Sequence, residues 1–280
     1  MCAAGDKMLI YLAELASRIH CIFGKREKGV TPQEKMDIYL AGEHPIKNGG
    51  HAVSTDVMIL ESYYYAKSNK YITALIPTFR KFLLDSGAFT FMQGQGGGVN
   101  WDTYISQYAE FILANNVTQF FELDIDSVVG LREVERLRDK LETLTNRRCI
   151  PVWHKARGKE YWVQMTRDYD YVAIGGIVSG EIKKDDDKYF PALIKIAHGN
   201  GAKVHGLGFT QLQGLMRYKF DSVDSTAWLY GNRSGFVQRF NGNTLIKISA
   251  PKGMKMRSRE TSLFNFNEWV KFQKYAEEYL

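Results

Sequence analysis

The segment 171–207, YVAIGGIVSGEIKKDDDKYFPALIKIAHGNGAKVHGL, decides the fold class of this chain. Tyr171–Ile174 is a short apolar run that is typical of a buried strand, and Val204–Leu207 is a second one. Between them, Phe190–His198 has apolar residues at helical spacing. A strand, a helix and another strand at these distances indicate a parallel βαβ unit.

The same alternation runs through most of the chain and predicts an α/β fold, a closed (β/α)8 TIM barrel. The other predicted strands are Ile38–Ala41, Phe82–Leu84, Phe120–Leu123, Ile150–Trp153, Ser222–Val223 and Leu245–Ile248. The other predicted helices include Trp101–Ala114, Leu131–Leu144, Tyr161–Arg167 and Gln211–Tyr218. An open, doubly wound sheet is the alternative, but no GxGxxG run opens a helix after the first predicted strand.

The first 35 residues precede the first predicted strand, so we interpret 1–35 as an N-terminal helical extension and 36–280 as one barrel domain. Met8–Phe23 is apolar overall but carries Glu14, Arg18 and His20, which predicts an amphipathic helix rather than a secretion signal. The sequence has no apolar run of about 18 residues, so we expect no membrane partner. Three scattered cysteines give no disulfide framework, and we expect a cytoplasmic location.

The net charge of +6 is a mild excess, with 37 Lys and Arg residues against 31 Asp and Glu residues. Such an excess suits ordinary solubility or a polyanionic partner. The basic residues concentrate locally near the C-terminus, over Lys247–Arg259. Charge alone leaves both interpretations open.

Polar side chains follow one predicted strand after another. Asp85 ends the second strand, Asp124 and Asp126 follow the third, His154 follows the fourth, and Asp224 follows the seventh. In a parallel barrel the residues at the carboxyl ends of the strands face the active site. Converging carboxylates repel one another, which indicates a catalytic task, a metal or a cationic partner. Each residue taken singly also has a structural interpretation, such as helix capping for Asp85.

Four motifs at these strand ends resemble those of the tRNA-guanine transglycosylase superfamily. LDSGAF (84–89) is similar to the family's DSGG(F/Y), and AIGGIVSGE (173–181) is similar to its AIGGLAVGE. HGLGFT (205–210) stands where the family has LMGVGTP, and VDSTAW (223–228) resembles the archaeal form FDSASY, which holds the nucleophile. The four motifs occur in the family's order over Phe82–Trp228.

The resemblance implies a role for each matching residue. Asp224 would attack the anomeric carbon of a nucleotide and expel guanine, which leaves a covalent glycosyl-enzyme intermediate. Asp85 would be the general acid and base, and Phe89 would stack on the heterocycle. The other implied base-binding residues are Ser86, Asp124, His154, Gly175, Gly176, Ile177, Glu181 and Gly206. Asp221 in Phe220-Asp221-Ser222 also matches the nucleophile motif and stays open, although the strand direction favours Asp224.

The resemblance also implies the substrates, which are a nucleic acid and a 7-deazaguanine such as 7-cyano-7-deazaguanine, and it implies no cofactor. The family's C-terminal zinc site is missing, because no cysteine follows Cys149 and no histidine follows His205. In this respect the chain is most similar to the short phage and bacterial relatives that insert 7-deazaguanines into DNA, so DNA is favoured over tRNA. Contacts to the nucleic acid backbone are predicted for Arg233, Arg239, Lys252, Lys255 and Arg257, with a solvated surface as the alternative.

Three alternatives remain open at this stage. In the first, the base exchange acts on tRNA rather than DNA. In the second, the chain is a glycoside hydrolase that uses Asp85 and Asp224 as its carboxylate pair. A non-catalytic module that binds a base or a partner protein is the third. The oligomeric state is also open.

Overall fold

The computed structural model describes residues 9–13, 56–95, 98–209, 211–229, 235–249 and 258–280. The described strands of the main sheet are β1 (Leu9–Ala13), β2 (Met58–Ser62), β3 (Lys81–Asp85), β4 (Gln119–Phe120), β5 (Val152–Trp153), β6 (Tyr171–Ile174), β7 (Lys203–Gly206) and β8 (Ser222–Ser225). A separate hairpin consists of β9 (Phe236–Phe240) and β10 (Leu245–Ser249).

The described helices follow the strands in alternation. They are α1 (Tyr63–Ala66), α2 (Lys70–Leu75), α3 (Ala88–Thr90), α4 (Trp101–Ala114), α5 (Asp126–Val129), α6 (Leu131–Thr145), α7 (Gly158–Asp168), α8 (Phe190–Gly199), α9 (Leu212–Tyr218) and α10 (Ser258–Tyr279). The fold is therefore α/β, built on a parallel eight-stranded sheet in the order β4-β3-β2-β1-β8-β7-β6-β5.

The strands at the ends of this order are β4 and β5, and residues that adjoin them contact each other. Phe121 and Ile150, which adjoin these strands, form a parallel β-bridge. The Ile150 N–H donates to the Phe120 carbonyl at 2.8 Å, and the Glu122 N–H donates to the Ile150 carbonyl at 3.0 Å. These backbone hydrogen bonds join the segment at the end of β4 to the segment just before β5.

The two faces of the sheet bury different apolar clusters, as the alternation along a strand requires. On β2, Met58 and Leu60 belong to one cluster, whereas Ile59 belongs to another that packs against helices. The Met58 cluster draws on strands from both ends of the order. Its buried members are Met58, Leu60, Leu83, Phe121, Ile150, Val152 and Ala173.

The helix α10 is hydrogen-bonded to the first residue of β2, which lies far from it in the sequence. The buried side chain of Gln273 accepts a hydrogen bond from the Met58 N–H at 3.0 Å and donates to the Met58 carbonyl at 2.9 Å. The two residues are 215 positions apart in the sequence. Both backbone groups of Met58 are thereby satisfied at the first residue of the strand.

Most predicted elements are confirmed, with boundary differences of a few residues. The helix Trp101–Ala114 begins and ends as predicted, and it is capped by Asn100, whose side chain accepts from the Thr103 N–H at 2.9 Å. The prediction for Leu245–Ile248 is correct as a strand but wrong as part of the main sheet, because this strand pairs antiparallel with β9. Ile38–Ala41 lies outside the described residues.

The prediction of a helix was wrong for Leu9–Ala13, which forms β1 between β2 and β8. These five residues are a continuous apolar run without helical spacing of their own, which is the pattern of a parallel strand. The rest of the predicted extension over 1–35 lies outside the described residues. The strand Met58–Ser62 was not predicted at all.

Candidate active site

Three aspartates converge at the carboxyl end of the parallel sheet. Asp85 is the last residue of β3, Asp224 is the third residue of β8, and Asp124 comes shortly after β4. The charges of Asp124 and Asp224 both raise the pKa of Asp85, so these three carboxyl groups interact electrostatically. The predicted convergence of these side chains at one end of the sheet is therefore present.

The carboxyl group of Asp85 has a strongly raised pKa. Its side chain is half-buried and accepts a hydrogen bond from the Gly87 N–H at 2.9 Å. Burial, followed by the charge of Asp124, raises the pKa of Asp85 to about 7, although the Gly87 N–H and the Ser62 hydroxyl oppose the shift. Both protonation states are thus populated near neutral pH, which suits a general acid and base.

Asp224 is buried and held through one of its oxygens. Its Oδ1 accepts a hydrogen bond from the Gly208 N–H at 2.6 Å and lies 3.3 Å from Nε2 of His205. Gly208 has a φ of +68°, and a Cβ added there would lie 2.1 Å from a methyl carbon of Val178. Only glycine therefore fits this position without displacing the loop.

A buried polar chain lies behind Asp224. His205 is fully buried, and its Nδ1 lies 2.5 Å from Oγ of Ser222, which in turn contacts the hydroxyl of Tyr171. The His205 ring packs against Phe121 at 5.3 Å between ring centroids. His205 was not among the predicted site residues, although it opens the HGLGFT motif and directly precedes Gly206 on β7. Its place in that motif was the available signal.

His154 bridges two acidic side chains. Its Nε2 lies 2.9 Å from Oδ2 of Asp124, and its Nδ1 lies 3.0 Å from Oε2 of Glu181. Burial lowers the pKa of His154, but the hydrogen bond and charge of Asp124, with the hydrogen bond of Glu181, outweigh it and raise the pKa to about 9. Arg157 opposes this rise. His154 is therefore an imidazolium at neutral pH.

The two glycines after β6 make room for this bridge. A Cβ on Gly175 would lie 2.9 Å from Cε1 of His154 and 2.8 Å from a methyl carbon of Val152. Gly176 has a φ of +81°, and a Cβ there would lie 2.8 Å from Oε2 of Glu181. Both glycines are thus needed for contacts within the protein, and their predicted contact with a base stays a prediction.

Two other predicted base-binding residues belong to the apolar packing. Ile177 is half-buried and packs against the large core cluster. A Cβ on Gly206 would lie 3.1 Å from the ring of Phe220 and 3.2 Å from Phe209. The lack of a side chain at Gly206 is therefore explained by the aromatic core on that face of β7.

The motif after β3 places one aromatic ring in solvent. Phe89 lies in α3, four residues after Asp85, and 45% of its surface is exposed. Ser86 is fully buried, its Oγ accepts from the Ala88 N–H at 3.4 Å, and its carbonyl accepts from the Tyr104 hydroxyl at 2.7 Å. Phe89 is thus available to a ligand, whereas the Ser86 hydroxyl is used within the loop.

Asp221 lies at the opposite end of the sheet from Asp224, immediately before β8. Its Oδ2 accepts a hydrogen bond from the Val204 N–H at 2.7 Å and lies 2.9 Å from Nε2 of His198. It lines a cleft of about 410 Å³ together with Lys203 and other residues at the amino ends of the strands. Asp221 is therefore separated from Asp85 and Asp124.

A buried ion-pair cluster holds the segment between β5 and α7, which contains His154 and Arg157. Arg157 donates to both carboxylate oxygens of Asp126 at 2.8 and 2.7 Å and to Oε1 of Glu122 at 2.9 Å. Glu122 is fully buried and also accepts from Arg138 at 3.2 Å and from the Val152 N–H at 2.7 Å. Asp126 is thus committed to a structural pair.

Of the predicted nucleic acid contacts, Arg239 is an exposed residue of β9. Arg233, Lys252, Lys255 and Arg257 lie outside the described residues. Among the residues that the structure covers, no group of three or more His, Cys, Asp or Glu side chains is arranged to hold a metal ion. In the same part of the chain, no helix has the length and apolarity that a membrane span needs.

No protein-family model matches the sequence, and no curated protein matches it. The fold is similar to the carboxyl transferase domain of pyruvate carboxylase from Rhizobium etli with 3-bromopyruvate, at a TM-score of 0.48 and 13% identity. The same domain with 3-hydroxypyruvate gives a TM-score of 0.45 and 12% identity. Each match covers 98% of this chain and 48% of the other, so the chain spans about half the length of these structures.

Proposed function

We propose that this protein is a transglycosylase that replaces guanine in a nucleic acid, preferably DNA, with a 7-deazaguanine. The observation that carries the proposal is that Asp85 and Asp224 lie at the same end of a parallel sheet, where the charge of Asp224 contributes to the raised pKa of Asp85. Asp85 has a pKa of about 7, and Asp224 is oriented by the Gly208 N–H. An acid that exchanges protons near neutral pH beside an oriented carboxylate is what a double displacement at a sugar carbon requires.

The proposed scaffold is a closed (β/α)8 barrel. Two observations support it, the backbone hydrogen bonds between Phe120–Glu122 and Ile150 and the apolar cluster that includes side chains from strands at both ends of the order. Such a cluster is expected inside a barrel, where side chains from alternate strands meet in layers. In a barrel, Asp85, Asp124 and Asp224 would share one mouth.

In the first half of the proposed reaction, an oxygen of Asp224 forms a bond to C1′ of the target nucleotide as the C1′–N9 bond breaks. The departing guanine keeps the bonding electron pair, and Asp85 supplies the proton that makes guanine a neutral leaving group. In the second half, Asp85 removes a proton from the ring nitrogen of the 7-deazaguanine. That nitrogen attacks C1′, and Asp224 leaves as a carboxylate.

The proposed base pocket uses the groups that surround Asp85. The exposed ring of Phe89 offers a stacking surface four residues away along the chain. The carboxylates of Asp124 and Glu181 offer acceptors to the N1–H and 2-amino donors of guanine. The exchange transfers a sugar between two similar bases, so it needs neither a redox cofactor nor a triphosphate.

The nucleic acid must present its target guanine outside the base stack, because C1′ is not accessible to a carboxylate within a duplex. Arg239 is placed on an exposed hairpin, where it is available to a phosphate. We propose DNA as the preferred polymer, because residues 150–280 contain no cysteine that could contribute to the family's zinc site. The division into a helical extension over 1–35 and a barrel over 36–280 is wrong at Leu9–Ala13, because these residues form β1 of the main sheet.

The test is an exchange assay with double-stranded DNA, single-stranded DNA or bulk tRNA, each carrying radiolabelled guanine, in the presence of 7-cyano-7-deazaguanine. We expect release of label from DNA by the wild-type protein and by Asp221→Ala, and none by Asp224→Ala. Release from tRNA alone would keep the chemistry and reverse the choice of polymer. No release from any polymer would contradict the proposed function.

A further inference from the structure

The bridge between Asp124, His154 and Glu181 has a hydrogen-bond pattern that only one charge state satisfies. Both ring nitrogens of His154 lie within 3.0 Å of a carboxylate oxygen. A neutral imidazole has a single N–H, so one of these contacts would set a nitrogen lone pair against an anionic oxygen. An imidazolium donates to both.

The bridge is also fixed in place on its other sides. The second oxygen of Glu181, Oε1, accepts from the Ala156 N–H at 2.9 Å. The bare Cα of Gly175 lies against the His154 ring, as the clash of an added Cβ at 2.9 Å indicates. The charged groups that act on His154 are Asp124 and Glu181, which favour its protonation, and Arg157, which opposes it. The bridge is therefore rigid as well as charged.

We propose that His154 is a positioning residue whose imidazolium holds Asp124 and Glu181 ionised and oriented, so that the site selects heterocycles with an N–H donor edge. The identity of the ligand in this inference rests on the proposed function. The protonation of both ring nitrogens of His154 does not. His154 itself has no ring nitrogen left for the base.

The pKa of Asp85 gives the bridge a further consequence. Asp124 already raises the pKa of Asp85 by its charge. The His154 imidazolium lies against this charge, with its Nε2 2.9 Å from Oδ2 of Asp124. The cation and the carboxylate oxygen that it contacts therefore form one unit beside Asp85.

The state of the bridge is tested without a ligand, by nitrogen NMR of the protein with labelled histidine. The His154 signals are assigned from their loss in His154→Gln. We expect both ring nitrogens to be protonated at pH 7.5 and to titrate near pH 9, with a lower pKa in Asp124→Asn. One unprotonated ring nitrogen at pH 7.5 would overturn the inference.

The effect on the ligand is tested by calorimetric titration with free guanine between pH 6 and 9. We expect His154→Gln to weaken guanine binding at pH 7 by at least about tenfold, because Asp124 and Glu181 lose the donor that they share, and to remove the loss of affinity that the wild type shows as the pH approaches the His154 pKa of about 9. His198→Gln, at the other end of the sheet, is the control and should bind as the wild type does. Unchanged affinity and pH profile in a folded His154→Gln would overturn the inference.

The two proposals fail in distinguishable ways. If the wild-type protein binds no guanine while NMR finds a doubly protonated His154, the proposed function is contradicted and the positioning role of His154 stands. If guanine binds but His154 is neutral, the exchange function stands and the positioning role is overturned. Adenine, which presents an acceptor at N1, should bind at least about tenfold more weakly than guanine to the wild type.

Discussion

The backbone N–H of Gly208 lies 2.6 Å from Oδ1 of Asp224 and donates a hydrogen bond to it. The chain is left-handed at Gly208, and a Val178 methyl group occupies the space that a side chain would need. The position of this amide therefore requires glycine. The hydrogen bond orients a buried carboxylate that has one further contact, to His205. The orientation of the proposed nucleophile thus depends on a glycine in a neighbouring loop.

Gly208→Ala should slow guanine exchange by about ten- to a hundredfold, because the new methyl group displaces Val178 and moves the amide from Asp224. The matched control is Gly201→Ala. Gly201 has a similar φ of +85°, but no atom lies within 4 Å of an added Cβ. Both variants carry the backbone strain, whereas only Gly208→Ala has the clash. Equal exchange rates in the two variants would argue against the role of this amide.

Asp224→Asn should abolish exchange, with a loss of at least about a thousandfold, because an amide oxygen is a poor nucleophile. The intact mass of protein that is acid-quenched during turnover should include a glycosyl adduct in the wild type and none in this variant. Asp221→Asn is the control, because Asp221 lies at the other end of the sheet and bonds the Val204 N–H. An adduct in Asp224→Asn that disappears in Asp221→Asn would reverse the assignment.

Asp85 should give the rate of exchange an apparent pKa of about 7, since the reaction uses both of its protonation states. The same shift affects stability. The folded-state pKa is raised above the unfolded value, so this group lowers the free energy of unfolding as pH rises from about 4 to about 7. Asp85→Asn should therefore be more stable than the wild type at pH 8, by about 4 kcal/mol, and equally stable at pH 4. Urea denaturation at both pH values measures the difference, and equal stability at pH 8 would contradict the raised pKa.

Glu122→Gln should lower the free energy of unfolding by roughly 3–5 kcal/mol, because it removes the fully buried anion to which Arg138 and Arg157 both donate. The control is Glu133→Gln, which removes an ion pair with Arg136 on the surface. Exposed pairs are screened by solvent, so we expect little change there. Denaturant titration of both variants compares them, and a similar small loss in each would contradict the structural role of Glu122.

Sequence patterns were sufficient for the residues at the strand ends, because the position of a side chain at the end of a parallel strand follows from the strand itself. Asp85, Asp124, His154 and Asp224 all lie where the strand assignments placed them. The pairing of β1 with both β2 and β8 was missed, because Leu9–Ala13 was assigned to a helix and Met58–Ser62 was not assigned to any element. A short apolar run does not by itself distinguish a buried strand from part of a helix.

The contacts of the site residues were less predictable than their positions. Nothing in the sequence near His154 indicates that Glu181, 27 residues later, takes up one of its ring nitrogens. Likewise, Gly206 was assigned to the ligand, whereas its missing side chain makes room for Phe209 and Phe220. A glycine in a motif indicates a close approach but does not identify the group that approaches.

The two hydrogen bonds between Gln273 and the Met58 backbone have a consequence for folding during synthesis on the ribosome. Met58 is synthesised 215 residues before its side-chain partner, so the start of β2 cannot be completed until the last helix has emerged. β1 must likewise wait for β8, because its second neighbour in the sheet is made late. Until then the nascent chain exposes strand edges, so the sheet is completed only after the segment that forms α10 has been synthesised.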